Sequence, residues 1–327
     1  VVLLSSTLER SFMSSIAIAA PTRNRSGVAL ILAGILWGTG GLSGSFLATG
    51  GHLHPISVAT YRLLVGGIFA VLSLWLTGGL QAFPRTRAAG RRLLAAGCLL
   101  GLFQACYFLA VSMSSVSIAT MTAIGGAPVF VAVVTAIRDR RLPGVVTLVS
   151  LGVALGGLVL LQWSPTGTAG DWRLVGGVVF ALLAGAGFGT LTLVMARQVA
   201  GLDPLRTTAF GCLIGGVLLL PVACWLGMVI PFRTDLLVVA LYLGLVPTAL
   251  AYATYFRGLV RANPVLAALS ALLEPLTAAV LSALLLHDRL GVVGWCGAAL
   301  LVGALAGSYL HPVVGALAGS YLHPASR

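Results

Sequence analysis

Two ionisable side chains stand deep inside apolar runs of this chain. Glu274 lies about eleven residues into the run 263–286, followed at once by Pro275 in the stretch SALLEPLTAAV (270–280). At 1.5 Å rise per residue that is ~16 Å along a helix, near the middle of a ~30 Å hydrocarbon layer. An ionised acid there costs ~2.5–3.5 kcal/mol on insertion scales. Three roles fit it: binding a substrate ammonium group or a coupling proton, remaining protonated and neutral, or accepting hydrogen bonds from neighbouring helices. Intramembrane acids are functional by default, which favours the first. Arg62, inside the run 55–77, is the one obvious charged partner at membrane depth.

Polar and aromatic residues in other runs suit a slot for a ring-bearing zwitterion. Thr248, Tyr252 and Tyr255 are spaced i, i+4, i+7, one face of a helix. Gln104 and Phe108 share a face of the third run, with Tyr107 adjoining; Trp37 stands among glycines in the first, and Thr120 in the fourth. Aromatic walls would stack on a ring, and hydroxyl or amide groups would orient amino and carboxyl ends. Singly, each of these residues reads as well as helix glue or interfacial anchoring; the cluster on the third and eighth runs argues for a cavity. Pro275 and Pro128 each remove a backbone donor and clash with the carbonyl four residues earlier, so they are read as hinges, or as kinks filled by neighbours.

Such chemistry needs a scaffold, and composition says what kind. Hydrophobic residues make up 59% of the 327 residues and charged residues 8%, against about 25% charged in a soluble domain; mean hydropathy is +1.06. The chain reads as an all-α polytopic membrane protein. Cutting at charged and turn-forming clusters gives ten runs: 27–48, 55–77, 91–112, 115–137, 143–162, 173–196, 204–229, 234–256, 263–286 and 291–310. Each must be a helix, because lipid satisfies no backbone group. The five cysteines sit in apolar runs and read as small buried hydrophobes, neither a disulfide framework nor a metal set.

The basic residues are 19 arginines without a lysine. With the N-terminus inside, fifteen fall on one side and only Arg173, Arg233 and Arg289 on the other, leaving Arg62 within a span. The positive-inside rule therefore puts both termini in the cytoplasm. This placement between apolar runs also argues against nucleic acid as the partner. Residues 1–26 form an N-terminal tail, with Met13 reading as a natural start and residues 1–12 as upstream or added sequence. At the other end VGALAGSYLHP occurs at 302–312 and again at 314–324, so 311–327 reads as a tail carrying a tandem duplication rather than an eleventh span.

An internal repeat organises the rest. LAGILWGT (32–39) matches LAGAGFGT (183–190), HPISVATYRLLVGG (54–67) matches DPLRTTAFGCLIGG (203–216), and APVFVAVVTAIRDRRL (127–142) aligns with EPLTAAVLSALLLHDRL (274–290) with one residue of slippage. Each unit, 27–162 and 173–310 about a linker at 163–172, holds five spans. Five is odd, so the second unit enters the membrane upside down. Two inverted five-helix repeats with a site between them near mid-membrane is a common secondary-transporter architecture. Glycines four apart (Gly34/Gly38, Gly152/Gly156, Gly185/Gly189, Gly211/Gly215, Gly303/Gly307) mark seams where helices approach closely.

Two such units, each opening on a WGT-like motif and each carrying a proline in its fourth span before an arginine-rich turn, resemble the EamA-type branch of the drug/metabolite transporter superfamily over about residues 27–310. The resemblance implies ten helices, a bacterial inner-membrane location and movement of small metabolites or amino acids, often outward; the nearest likeness is to aromatic amino-acid exporters. Where the family carries Glu-Pro in both halves, this chain has Ala127-Pro128 in the first. That departure counts against a mechanism needing two symmetry-related carboxylates. The expected partners are a small-molecule substrate and the bilayer, with the protein a monomer and with no cofactor or metal. A passive uniporter of the same substrates and a lipid head-group flippase are the alternatives. An enzyme is not expected: GLSG (41–44) resembles an intramembrane serine-protease motif, but every histidine lies in a loop, a span end or the tail, so no base is at hand. Without lysine there is neither a Schiff base nor a P-loop.

Overall fold

The computed structural model describes residues 2–80, 85–114, 116–161, 172–197, 199–285 and 291–322. His287, Arg289 and the linker residues 163–171 lie outside them. The described residues form helices and the turns between them, with no strand. Among the described residues nine helices are long and apolar enough to cross a membrane, and the shorter apolar helix Val145–Leu161 makes a tenth.

The first span begins within a helix running Val2–Gly51. The second to seventh spans are Pro55–Leu76, Arg87–Met113, Val116–Asp139, Val145–Leu161, Trp172–Met195 and Pro204–Trp225. Their starts follow from local chemistry. His54 Nδ1 accepts from the Ile56 amide and Asp203 Oδ1 from the Arg206 amide, and in each case a proline, which has no amide to lose, opens the helix. The last helix, Val292–Leu322, does not stop at His311 and Pro312; it carries the backbone through most of the duplicated segment assigned above to a tail.

Helix neighbours come in pairs related by exchanging the two halves. The second span packs on the seventh and the fifth on the tenth, each with its own equivalent. The first packs on the eighth and ninth, as the sixth packs on the third and fourth; the second packs on the eighth, as the seventh packs on the third.

Glycines repeat this symmetry at the crossings. A Cβ on Gly34 would lie 2.6 Å from the Ser270 carbonyl, and one on Gly185 would lie 2.6 Å from the carbonyl of Ala123, the equivalent residue of the other half. Likewise Gly244 crosses against Gly66 and Gly101 against Gly215. These backbones touch because no side chain intervenes. Gly152, Gly156, Gly303 and Gly307 meet nothing within 4 Å, contrary to the packing expected of them. The fifth and tenth spans cross instead at Gly157 and Gly297, where a Cβ on Gly157 would meet the Gly297 carbonyl at 2.8 Å. The outer faces of these peripheral spans therefore have spare room. Cys106 and Cys212 are buried as expected, whereas Cys98, Cys224 and Cys296 point outward from the bundle.

Prolines within the spans behave differently from one another. Pro128 sits inside an unbroken helix, Val116–Asp139. The ninth span is interrupted, Pro264–Ser270 then Leu273–Leu285, with Ala271 and Leu272 in a turn. Pro275 cannot donate to Ala271, and the Glu274 amide closes a tighter turn onto that carbonyl at 3.0 Å. The eighth span, expected as one α-helix, is Thr234–Gly244, a π-helical turn Leu245–Leu250 and Ala251–Leu259. Pro247 lies in that turn, where a wider winding accommodates the ring.

Candidate functional site

The bundle's centre holds a small cavity lined by Trp37, Arg62, Phe103, Gln104, Tyr107, Ile124, Phe188, Tyr252 and Glu274. Seven spans contribute, and the two halves alternate around it. Its volume is about 20 Å³, room for about one water. Both of the chain's mid-span charges face it.

Rings form most of the wall. Trp37 contacts Phe188 at a centroid distance of 5.7 Å, Tyr252 at 5.2 Å and Tyr255 at 4.9 Å. Phe103 lies 5.3 Å from Phe188 and 6.1 Å from Tyr107. The edge-to-face pairs fall within the range where aromatic contacts add to simple burial.

Arg62 is held by the eighth span, and the π-turn explains how. An α-helix would bond the Leu243 carbonyl to the amide of residue 247, which is proline; the Thr248 hydroxyl donates to that carbonyl instead, at 2.7 Å. The Ala251 amide reaches back to Val246, one residue beyond its α-helical partner, so it does not take the Pro247 carbonyl. Arg62 Nη2 donates to that carbonyl at 3.3 Å, and Nε donates to Thr248 Oγ1 at 3.2 Å. One guanidinium edge is thus tied to the helix.

Glu274 is placed by the interruption of the ninth span, two residues beyond the Ala271–Leu272 turn. Its backbone carbonyl abuts Gly38, where an added Cβ would come within 2.7 Å. The carboxylate shares the cavity with Arg62 and feels its charge, yet no contact ion pair joins them. Among the described residues the ion pairs are Arg138–Asp139, Arg206–Asp203 and Arg233–Asp235, all at helix ends.

Two donors in the wall have no partner. Trp37 Nε1 and Gln104 Nε2 are fully buried and, among the described residues, are the only buried side-chain nitrogens or oxygens left without a hydrogen bond. A buried, unsatisfied donor costs ~1–3 kcal/mol. Native proteins tolerate few such groups, and each calls for an explanation.

Of the residues singled out in the sequence, Trp37, Arg62, Gln104, Tyr107, Tyr252 and Glu274 line the cavity. Thr120, Thr248 and Tyr255 stand just behind it. The Thr120 hydroxyl bonds the Tyr107 hydroxyl at 2.6 Å, Thr248 holds Arg62, and the Tyr255 hydroxyl meets Thr192 of the sixth span at 2.9 Å. Phe108 is not in the wall. It packs edge to face on Tyr107 at 5.3 Å, because the third span turns Phe103, Gln104 and Tyr107 inward and leaves Phe108 on its shoulder. Phe103, Ile124 and Phe188 were not anticipated. Phe188 could have been, since it occupies in LAGAGFGT the place that Trp37 holds in LAGILWGT.

The cavity is sealed on both sides. Toward the arginine-poor end, Leu47, Leu53, Val58, Leu236, Ala240 and Leu243 form a buried cluster. Toward the arginine-rich end lie the Tyr255–Thr192 bond and the buried Phe256, Leu259 and Met195. Trp75 and Trp172 are 65% and 74% exposed near span ends, where belt residues sit.

Known proteins bear on what this architecture does. The chain is 29% identical over 273 residues to the uncharacterized transporter YwfM of Bacillus subtilis (strain 168), covering 84% of this chain and 90% of that one. It is 24% identical over 281 residues to the uncharacterized inner membrane transporter YicL of Salmonella typhimurium, covering 84% and 92%. One protein of known crystal structure superimposes with a TM-score of 0.75 at 18% identity, over 87% of this chain and 96% of the other, a likeness of fold. Residues 25–163 and 175–310 each match one family, one match for each five-helix unit. The chain therefore belongs to the EamA-like transporter family and is a multi-pass membrane transporter of small molecules.

Proposed function

We propose that the protein is a secondary transporter of amino acids, aromatic ones favoured, working by alternating access in a bacterial inner membrane, with both termini cytoplasmic and export as its direction. The observation that carries this reading is the cavity wall itself. A cation and an anion face one small space without pairing, next to two unpartnered donors and a ring of aromatic side chains. A zwitterion with an aromatic side chain complements all three. Its carboxylate would meet Arg62 and the Gln104 and Trp37 donors, its ammonium would meet Glu274, and its ring would stack among Trp37, Phe103, Phe188 and Tyr252.

The cavity of about 20 Å³ is too small for such a molecule, so the described conformation corresponds to a closed state of the cycle. Opening requires the sealing spans to move. The π-turn at Leu245–Leu250 and the break at Ala271–Leu272 supply irregular backbone in the two spans that carry Tyr252 and Glu274. Pro275 stands at that break and is assigned the hinge; Pro128, in an unbroken helix, is the weaker candidate.

Coupling has two forms in this reading. Glu274 can exchange a proton for substrate, or it can serve only as the ammonium partner of a uniporter. Ala127 at its equivalent position leaves a single acid, an observation that keeps the uniporter as the second reading. The head-group flippase would need a cavity open sideways to lipid, and the closed cavity lends it no support.

Flux of radiolabelled phenylalanine and tryptophan into proteoliposomes tests the proposal. Uptake that needs a pH gradient and vanishes in Glu274→Gln supports proton coupling. Uptake that persists without the gradient supports the uniporter. Liposomes that transport no amino acid above the protein-free background would refute the substrate class while leaving the fold intact.

A further inference from the structure

Away from the central cavity, a second pocket opens at the arginine-rich end between the third, fourth and sixth spans. It is a recess of about 290 Å³ into which Arg92, Arg138 and Arg197 converge. No acidic side chain lines it among the described residues. Its floor is apolar: Val134, Leu193 and Val194.

We propose that this recess binds an anionic phospholipid from the adjoining leaflet, its phosphate held by the three guanidinium groups and an acyl chain laid along the fourth span. Three arguments support it. First, like charges are gathered there rather than dispersed. Arg92 and Arg197 lie within electrostatic reach of each other, and Arg92, partly buried, is steadied by donating through Nη1 to the Val194 carbonyl. Such an arrangement is unfavourable unless an anion neutralises it. One of its arginines, Arg138, meets the neighbouring Asp139 at 3.5 Å with both side chains more than half exposed, a pair worth little in solvent.

Second, guanidinium groups bind phosphate in a two-point fashion that an ammonium cannot reproduce. Arg92, Arg138 and Arg197 offer three such groups to one recess. Third, the recess lies at the membrane boundary and continues into an apolar surface. Val133 and Ile137, one residue round the helix from Val134 and Arg138, are 51% and 72% exposed. A free phosphate would leave that strip unused, whereas a lipid would cover it. Basic pockets between helices at the cytoplasmic boundary are where anionic head groups bind. At the opposite end of the bundle the arginines are few, and Arg233 is paired with Asp235 at 2.6 Å.

The test uses the full chain in detergent, titrated with phosphatidylglycerol or phosphatidylcholine, with bound lipid counted by native mass spectrometry. Phosphatidylglycerol should be preferred by about tenfold or more. In Arg92→Gln/Arg197→Gln the preference should fall to near parity, while Arg233→Gln should retain it. Equal binding of the two lipids by the unaltered protein would overturn the proposal, as would an undiminished preference in the double variant. Displacement of phosphatidylglycerol by inorganic phosphate at equal concentration would also overturn it, assigning the recess to a free anion. Should the double variant fail to fold, the exposed Arg138→Gln takes its place. It should lower the preference by about threefold, and an unchanged ratio would count against the lipid.

Discussion

Trp37 and Phe188, which occupy the same place in the two repeats, meet edge to face across the middle of the bundle with ring centroids 5.7 Å apart. Equivalent residues of two inverted halves can touch only near the axis that relates them. The contact therefore marks that axis, and the cavity lies beside it. Because the rings differ, the wall is not symmetric, and neither are the charges: the repeat equivalent of Glu274 is Ala127, and that of Arg62 is Gly211. Trp37→Leu and Phe188→Leu should each lower phenylalanine flux by roughly tenfold. In thermal unfolding, a double-mutant cycle on the pair should return a coupling of about 0.5–1.5 kcal/mol. Additive effects would show that the rings pack independently.

Gln104 should reveal a conflict between stability and function. Its Nε2 is buried without a partner in the closed state, at a cost of roughly 1–3 kcal/mol. Gln104→Leu keeps the volume and removes the donor, so its melting temperature in detergent should rise while flux falls. A variant both less stable and fully active would show that the amide supports the fold rather than the substrate.

The Arg62 tether predicts a split between two substitutions at Thr248. Thr248→Ser retains the hydroxyl that caps Leu243 and receives Arg62, and should stay within about 0.5 kcal/mol of the parent. Thr248→Val has nearly the same shape but leaves the Leu243 carbonyl and the Arg62 Nε unpaired. Its cost should be about 1–3 kcal/mol in unfolding, with a further loss of substrate affinity. Denaturation curves on the two variants decide it, and equal stabilities would contradict this account of the π-turn.

The glycine crossings predict a sharp contrast along one residue type. Gly34→Ala and Gly185→Ala each force a Cβ to 2.6 Å from a backbone carbonyl, which cannot swing aside as a side chain would. Both should lose about 1–3 kcal/mol and expand the crossing. Gly152→Ala and Gly303→Ala enter open space, and should be neutral or gain up to about 1 kcal/mol from helix propensity. Parallel behaviour of Gly34 and Gly185 is the signature of the two-fold arrangement.

Much of this was legible in the sequence because lipid imposes strong rules. A chain with 8% charge belongs in the membrane, its runs of about 20 apolar residues cross as helices, and the matched motifs supply two odd-numbered units. Arg62 and Glu274 were visible as costly exceptions that only an interior cavity could host. What was not legible depended on rotation and on backbone irregularity. Whether Phe103 or Phe108 faced inward was a question of helix rotation that spacing of three and four residues leaves open. The π-turn arose where Pro247 is followed by a threonine able to replace its missing donor, a local signal readable only once the Leu243 carbonyl was seen to need it. Likewise Pro128 and Pro275 look alike in the alignment, yet only the ninth span is broken.

The central claim is that one zwitterion is held between Arg62 and Glu274, and a matched set of ligands tests it most directly. Phenylalanine, phenethylamine without the carboxylate and 3-phenylpropanoate without the ammonium would be compared for binding to purified protein by calorimetry, in the parent and in Arg62→Gln and Glu274→Gln. The account predicts that removing either charge from the ligand weakens binding by roughly ten- to a hundredfold, the worth of a charge-assisted contact. Arg62→Gln should then stop distinguishing phenylalanine from phenethylamine, and Glu274→Gln should stop distinguishing it from 3-phenylpropanoate. If all three ligands bind the parent equally, or if both variants keep its full discrimination, the charges do not hold the substrate and the account is contradicted.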